Sequence, residues 1–201
     1  MSRLLGIFGR EKENVWRMLS EEVGGEYIEG RGLLGKDLVR IQHQHWTLLL
    51  DTFQRPKQPT YTRIRAAYVN RDSFEFRIFR KDLSSGISKV AGMQDIEVGY
   101  EEFDRDFIIQ GNDEIKLRQL FDHNRIRQII SWQPQIQLFN EVDETWVTNP
   151  WGEGLSELSF EAMGVIKDLQ QLRDLYELFS QLLNHLCHIG SAYEQDPDMS
   201  C

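Results

Sequence analysis

Apolar residues recur every three to four positions at both ends of the chain, and this spacing is typical of amphipathic helices. Val15 and Leu19 lie on one face of a helix predicted over residues 11–23, which Gly24 would end. A longer stripe predicts a C-terminal helix over residues 165–189. Its apolar positions include Leu169, Leu172, Tyr176, Phe179, Leu183 and Leu186.

Between these helices the apolar period falls to two, which predicts β-strands with one buried face. Four such runs are joined by short polar connections and predict an antiparallel meander. The runs cover residues 39–42, 46–53, 61–69 and 74–78. Three further strands are predicted at residues 103–109, 136–142 and 155–162.

Short helices are predicted in the middle of the chain. Asp113 can cap a helix that begins near Glu114, and a second helix is predicted over residues 124–131. A further short helix over residues 82–92 and a loop over residues 146–154 complete the pattern. The sequence therefore predicts an α+β fold. We expect an antiparallel sheet of about six to seven strands, an N-terminal helix, a central helical pair and a long C-terminal helix.

The size of the chain suits a single domain. Its 201 residues are enough to bury a sizeable core, and we predict one domain over residues 1–201. Residues 1–10 are predicted to form an N-terminal tail, and residues 191–201 a frayed acidic tail. Hydrophobic residues make up 40% of the chain, a share that excludes intrinsic disorder.

The net charge of −9 is unevenly distributed along the chain. Residues 1–90 carry 16 basic and 11 acidic side chains, a net charge of +5. Residues 91–201 carry 7 basic and 21 acidic side chains, a net charge of −14. The acidic balance argues against a nucleic-acid partner, because neutralisation of phosphates by Lys and Arg dominates such binding. A local basic surface, by contrast, fits a protein partner or an anionic ligand.

Basic side chains of the predicted meander are the candidates for ligand binding. They are Lys57, Arg63, Arg65 and Arg77. The period of two places Arg63 and Arg65 on the face opposite Ile64, where they could meet an anionic ligand or an acidic protein. The alternative is that they pair with the acidic half of their own chain, and we favour it because opposite charges within one domain attract each other.

Histidines raise the question of a metal site. His43 and His45 form an H-x-H pair that could ligate a metal together with other side chains, although Gln44-His45 also fits a hairpin turn. His185 and His188 lie one helical turn apart, and we interpret them as residues that flank the end of a helix.

Two carboxylates are the other candidates for a metal site. Asp104 and Asp106 would share the polar face of the strand predicted over residues 103–109, where carboxylates can hold Mg²⁺ or Ca²⁺. The alternative is that they pair with arginines across the sheet. No cofactor and no catalytic residue is predicted. The letters G-x-G-x-x-G at residues 30–35 precede a strand pattern and do not join a strand to a helix.

The cysteines and the hydropathy pattern bear on location. Cys187 and Cys201 lack C-x-x-C spacing, which predicts a reducing, cytoplasmic compartment. No window has the roughly 20 apolar residues of a transmembrane helix, and Leu4 to Phe8 would give only weak peripheral contact with a membrane. The wide apolar stripe of the C-terminal helix fits a core position, with a homodimer through this helix as the alternative.

One segment resembles a known family. Glu102 to Glu114 follows the pattern acidic-Phe-x-x-x-Phe-x-hydrophobic and then Asp-Glu, and a helix with Leu117 and Leu120-Phe121 comes next, followed by Ile126-Arg127. This pattern resembles uncharacterised bacterial proteins grouped as domain of unknown function 3137. The resemblance implies a bacterial protein without an established catalytic set. This chain departs from the family in lacking its typical membrane-spanning segments.

Three functional hypotheses follow from the sequence. The first, which we favour, is a non-catalytic binding module that contacts a protein partner or an anionic ligand. The second is a metal-assisted hydrolase with an acidic-His site. The third is a peripheral membrane protein that uses residues 3–10 and the basic face of the sheet.

Overall fold

One antiparallel sheet and five α-helices make up the part of the chain that the structure describes. The computed structural model describes residues 2–30, 35–83, 94–140 and 155–193, and for residues 2–10 the backbone only. The strands are β1 (Glu26–Ile28), β2 (Leu38–His43), β3 (Trp46–Gln54), β4 (Thr60–Val69), β5 (Phe76–Arg80), β6 (Gln94–Asp95), β7 (Phe107–Gly111), β8 (Gln137–Phe139) and β9 (Leu155–Met163). The helices are α1 (Ser2–Glu22), α2 (Glu101–Asp106), α3 (Glu114–Asp122), α4 (Asn124–Trp132) and α5 (Leu169–His188), with a 3₁₀ turn at Lys81–Leu83.

The predicted α+β class is confirmed, and the N-terminal helix, the central pair α3 and α4, and the long C-terminal helix are all present. The described residues form nine strands, more than predicted, because β1 and β6 are too short to show an alternating pattern. The loop predicted over residues 146–154 lies outside the described residues, as does most of the helix predicted over residues 82–92. Within the described ranges, no helix is both long enough and apolar enough to cross a membrane.

The order of the strands is β1-β2-β3-β4-β9-β8-β5-β7-β6. Strands β2, β3 and β4 form the predicted meander, but the prediction that β5 continues it is wrong. β4 pairs instead with β9, from Tyr61 opposite Met163 to Val69 opposite Leu155. β5 lies between β8 and β7. Since β9 occupies the second edge of β4, the N-terminal strands are completed by a strand from the C-terminal half of the chain.

Alternation along the strands gives the sheet a core face, and α5 belongs to the same buried cluster as that face. Leu48, Ile64 and Phe160 are among the buried strand residues of this cluster. The buried apolar residues of α5 are Leu172, Leu175, Leu178, Phe179, Leu182, Leu183 and Leu186. The apolar stripe of α5, which could also form a dimer interface, is therefore buried in the core of the chain itself. A homodimer through α5 stays a prediction.

Helix α1 begins at Ser2, ahead of its predicted start, so the backbone of the predicted N-terminal tail is helical. The helix packs against β1, β2 and α5. Trp16 is fully buried, and its Nε1–H donates to the carbonyl oxygen of Ile166 at 3.1 Å. Arg173 on α5 pairs with Glu22 at 2.5 Å. The ion pair thus connects the two terminal helices, and the hydrogen bond of Trp16 connects α1 to the segment just before α5.

Residues 103–106 form part of a helix, and the prediction of a strand over residues 103–109 is wrong for this portion. α2 runs to Asp106, and β7 begins at Phe107. The carboxylate of Asp104 accepts hydrogen bonds from three backbone N–H groups. They belong to Val98 (2.8 Å), Gly99 (2.8 Å) and Tyr100 (2.9 Å). Because this carboxylate closes a turn ahead of α2, Asp104 and Asp106 do not share the face of a strand.

The chain remains packed after α5 ends. Gly190 adopts a positive φ of 78°, and the Ser191 N–H donates to the carbonyl oxygen of Leu186 at 2.9 Å, which ends the helix. Ala192 then forms a β-bridge with Asn70, and both Ser191 and Ala192 are buried. The predicted frayed tail therefore does not begin at residue 191, and residues 194–201 lie outside the described part.

Candidate functional site

Arginines on the sheet face opposite the core pair with carboxylates of neighbouring strands. Arg63 and Asp51 are cross-strand partners, and the guanidinium donates from Nε to Oδ1 (3.0 Å) and from Nη2 to Oδ2 (2.8 Å). Burial alone would lower the pKa of Arg63, but the hydrogen bonds and charge of Asp51 outweigh it and raise that pKa. Nη2 of Arg65 lies 3.5 Å from Oδ2 of Asp51, and Nη1 of Arg65 lies 3.6 Å from Oε2 of Glu157. Two of the predicted ligand-binding residues therefore pair within their own chain.

Arg55 and two aromatic rings extend this surface towards the turn between β3 and β4. Nη2 of Arg55 donates to both carboxylate oxygens of Glu161, at 3.1 and 2.9 Å. The rings of Phe53 and Tyr61 stack with their centroids 5.5 Å apart. The guanidinium groups of Arg55 and Arg63 each lie 4.8 Å from the centre of the Phe53 ring. Each arginine is thus held by a carboxylate and by the face of an aromatic ring.

Lys57 lies at the turn between β3 and β4, in the left-handed region with φ of 63°, and is exposed. The N–H of Gln58 donates to the carbonyl oxygen of Arg55 at 3.0 Å, which closes the turn. Met163 is the cross-strand partner of Tyr61, and 53% of its surface is exposed. We refer to Phe53, Arg55, Lys57, Tyr61, Arg63 and Met163 together as the hairpin surface.

Arg77, the fourth predicted ligand-binding residue, lies apart from the β3–β4 hairpin. A row of cross-strand partners runs from Arg65 through Ser159 and Phe139 to Arg77. The two arginines are three strand spacings apart, or about 14 Å. The guanidinium of Arg77 lies 5.8 Å from the centre of the Phe139 ring. The structure brings the other three candidates to one hairpin and leaves Arg77 outside it.

His43 and His45 flank Gln44 where β2 turns into β3. Gln44 and His45 form a two-residue turn, and Gln44 has a φ of 53°, which confirms the hairpin interpretation. Nδ1 of His43 lies 3.2 Å from the hydroxyl of Tyr176 on α5, and burial lowers the pKa of His43. His45 is exposed. The two imidazoles therefore lie in different surroundings.

The predicted metal ligands do not come together. Asp104 accepts backbone N–H groups ahead of α2, and Asp106 accepts from Nε of its neighbour Arg105 at 2.9 Å. α2 leads into β7, and six strand spacings, or roughly 29 Å along the sheet, separate β7 from β2 with its His43. Among the residues that the structure describes, no group of three or more His, Cys, Asp or Glu side chains is placed to hold a metal ion.

Three histidines cluster where α3, α4 and α5 meet: the rings of His185 and His188 stack, and the ring of His123 meets that of His185 edge-on. The ring centroid of His185 lies 5.1 Å from that of His123 and 5.4 Å from that of His188. Nδ1 of His123 accepts from the backbone N–H of Ile126 at 3.4 Å and so caps α4. Burial lowers the pKa of His123, and the nearby His185 and Arg127 lower it further. Sequence reasoning missed His123 because its contact with α5 depends on how the helices pack.

Comparison with known proteins gives a likeness in fold. No known protein family matches the sequence, and neither does any curated protein sequence. Among solved structures, the fold is similar to the crystal structure of the mycobacterial trehalose monomycolate transport factor A, TtfA. The TM-score is 0.58, and the match covers 88% of this chain and 95% of the TtfA chain at 11% sequence identity. At that identity the two chains share an architecture, and function has to be argued from the site.

Proposed function

We propose that this chain is a non-catalytic interaction module of the bacterial cytoplasm. The observation that carries the proposal is the pairing of Arg55, Arg63 and Arg65 with carboxylates on the same face of the sheet. Active sites gather titratable groups whose pKa values are shifted for a chemical task. Here the charged groups satisfy one another and form an ordered surface, which suits recognition of another molecule through complementary charge.

The likeness in fold to TtfA is compatible with this proposal, which rests on the site itself. The name of that protein describes a transport factor. The location in a bacterial cytoplasm rests on the absence of C-x-x-C spacing between the two cysteines and on the resemblance of residues 102–127 to domain of unknown function 3137. That resemblance stays a prediction.

The other two hypotheses have less support. A metal-assisted hydrolase would need His43 and the Asp104–Asp106 pair at one site, and these residues lie at opposite ends of the sheet. A peripheral membrane role depends on Leu4 to Phe8, whose side chains lie outside the described part of the chain. The interaction module is therefore the function that the geometry supports best.

Site-specific photo-crosslinking in cells of the native host tests the proposal. A photoreactive phenylalanine analogue replaces one exposed residue at a time in the full-length protein. The positions chosen for replacement, all of them exposed, are Arg40, Lys57, Ile115, Trp132 and Met163. We expect discrete crosslinked products from one or more of these positions, each with a protein or ligand of defined mass. If the folded protein gives no product from any position, the proposal is wrong.

A further inference from the structure

The hairpin surface combines exposed cations, an exposed apolar side chain and a fixed turn. We infer that it docks an acidic segment of a partner protein that also carries an apolar side chain, an inference that rests on the proposed function. The exposed components, Arg55, Lys57 and Met163, come from two places in the fold: the β3–β4 turn and the last residue of β9.

At the hairpin surface the positive charges are more exposed than the carboxylates with which they pair. The side chains of Glu161 and Asp51 are 5% and 13% exposed, whereas the side chain of Arg55 is 43% exposed and Lys57 is exposed at the turn. An approaching molecule therefore meets the cations before the carboxylates that lie beneath them. At short range this arrangement favours contact with the carboxylates of an acidic segment over contact with a basic one, and so provides charge complementarity towards one class of partner.

Met163 provides the apolar part of the surface. About half of its side chain is exposed, and it lies opposite Tyr61, whose ring stacks on Phe53. Methionine is flexible and polarizable, and it is over-used at surfaces that adapt to a bound segment. An apolar side chain of the partner would cover Met163 while acidic neighbours reach Arg55 and Lys57.

The arginines of the surface are already ordered. The guanidinium groups of Arg55 and Arg63 are fixed by the carboxylates of Glu161 and Asp51 and by the ring of Phe53. Ordering a long side chain on binding costs conformational entropy, and a group that is held in advance loses less of it. A planar guanidinium also matches a carboxylate with two parallel hydrogen bonds, which gives the docking a defined orientation.

The balance of charge favours a protein segment over a lipid surface. The cations of the region are Arg55, Lys57, Arg63 and Arg65, and the carboxylates are Asp51, Glu157 and Glu161. Attraction to an anionic bilayer grows with the number of uncompensated cations near it. With most of its cations compensated, the surface recognises individual carboxylates at short range and has little long-range attraction to a charged plane.

Nuclear magnetic resonance titration of the full-length protein tests the inference with a defined probe. The probe is a short synthetic peptide in which Glu alternates with Leu and Phe, and the control peptide has Lys in place of Glu. We expect the acidic peptide to shift the backbone amide signals of residues 53–63 and the methyl signal of Met163. The shifts should weaken as salt is added, because the contact is between charges. The basic peptide should leave these signals in place.

Matched variants locate the contact. Lys57→Glu and Met163→Gln change exposed side chains of the surface, and each should weaken binding of the acidic peptide about fivefold. Lys81→Glu is the control, since it changes the net charge equally but lies after β5, three strands from β4. Binding that survives Lys57→Glu and Met163→Gln, or that Lys81→Glu weakens equally, would overturn the assignment of the site.

Vesicles and the crosslinking panel separate the remaining outcomes. The vesicles contain phosphatidylcholine and phosphatidylserine. If they shift the signals of the hairpin surface and the acidic peptide does not, the surface binds a membrane and the inference is wrong. If neither the acidic peptide nor the vesicles shift the signals of the hairpin surface, and crosslinks form from other positions, this inference is wrong. The proposed interaction module would still be supported by those crosslinks. The absence of crosslinks from every position would refute the proposed function itself.

Discussion

Asp104 illustrates, at the scale of a residue, how a carboxylate can serve the backbone instead of a ligand. Its two oxygens accept the N–H groups of three successive residues, ending at Tyr100. Backbone donors that lose their partner in a folded protein are costly, and an ionised acceptor binds them more strongly than a neutral one. The neighbouring Asp106 instead pairs with Arg105, and both of these side chains are well exposed.

Replacement of Asp104 should therefore destabilise the protein, whereas replacement of Asp106 should not. We expect Asp104→Ala to lower the free energy of unfolding by about 1–3 kcal/mol, because three backbone donors lose a charged acceptor. Asp106→Ala, the matched control, should change it by less than about 0.5 kcal/mol. Urea denaturation followed by circular dichroism measures both values. Equal effects of the two substitutions would contradict the structural role of Asp104.

The faces of the charged residues could be predicted from the sequence, but their partners could not. The period of two places Arg63 and Arg65 on the face opposite Ile64, and the structure agrees. Their carboxylate partners depend on register: Asp51 belongs to the preceding strand, but Glu157 belongs to β9, far along the chain. Alternation reports the side on which a residue lies and carries no information about which strand becomes its neighbour.

At the scale of the elements, long periodic segments were predictable and short ones were not. The amphipathic stripe located α5, and the apolar runs located β2, β3 and β4. β1 and β6 have too few residues to show a period. α2 has only six residues, and the turn that precedes it is closed by the side chain of Asp104. The cluster of His123, His185 and His188 likewise arises only when α3, α4 and α5 pack together.

The histidine cluster should make the free energy of unfolding depend on pH. His123 has a lowered pKa, first because it is buried and then because His185 and Arg127 are close. In the unfolded chain its pKa returns to about 6.5. The unfolded state therefore binds more protons than the folded state as the pH falls below that value, and the free energy of unfolding falls with it. His43, whose pKa burial lowers, contributes in the same direction.

Urea midpoints measured between about pH 7.5 and about pH 5.5 test this expectation. The midpoint should fall towards the lower pH in the native protein. His123→Asn removes the titrating group and retains a side chain that can cap α4, so the fall should become shallower. An unchanged pH profile in this variant would show that His123 does not contribute to the dependence.

At the scale of the whole molecule, the sheet interleaves the two oppositely charged halves of the sequence. β4, from the half with net charge +5, pairs with β9, from the half with net charge −14. β5 belongs to the first half and lies between β8 and β7 of the second. Arg65 and Glu157 form an ion pair across this junction. The charge asymmetry of the sequence is thus partly neutralised by the order of the strands, which no local pattern reveals.

Because of this interleaving, we expect that neither half can fold alone. A fragment of residues 1–90 lacks β9 beside β4, and a fragment of residues 91–201 lacks β5 between β8 and β7. Each fragment should show little ordered structure by circular dichroism, and mixing should restore the signal of the intact sheet. The rate of association should fall by about an order of magnitude as salt is raised, since opposite charges steer the encounter. A fragment that unfolds cooperatively by itself would contradict the prediction of one domain over residues 1–201, because an independent core would then lie on one side of the division.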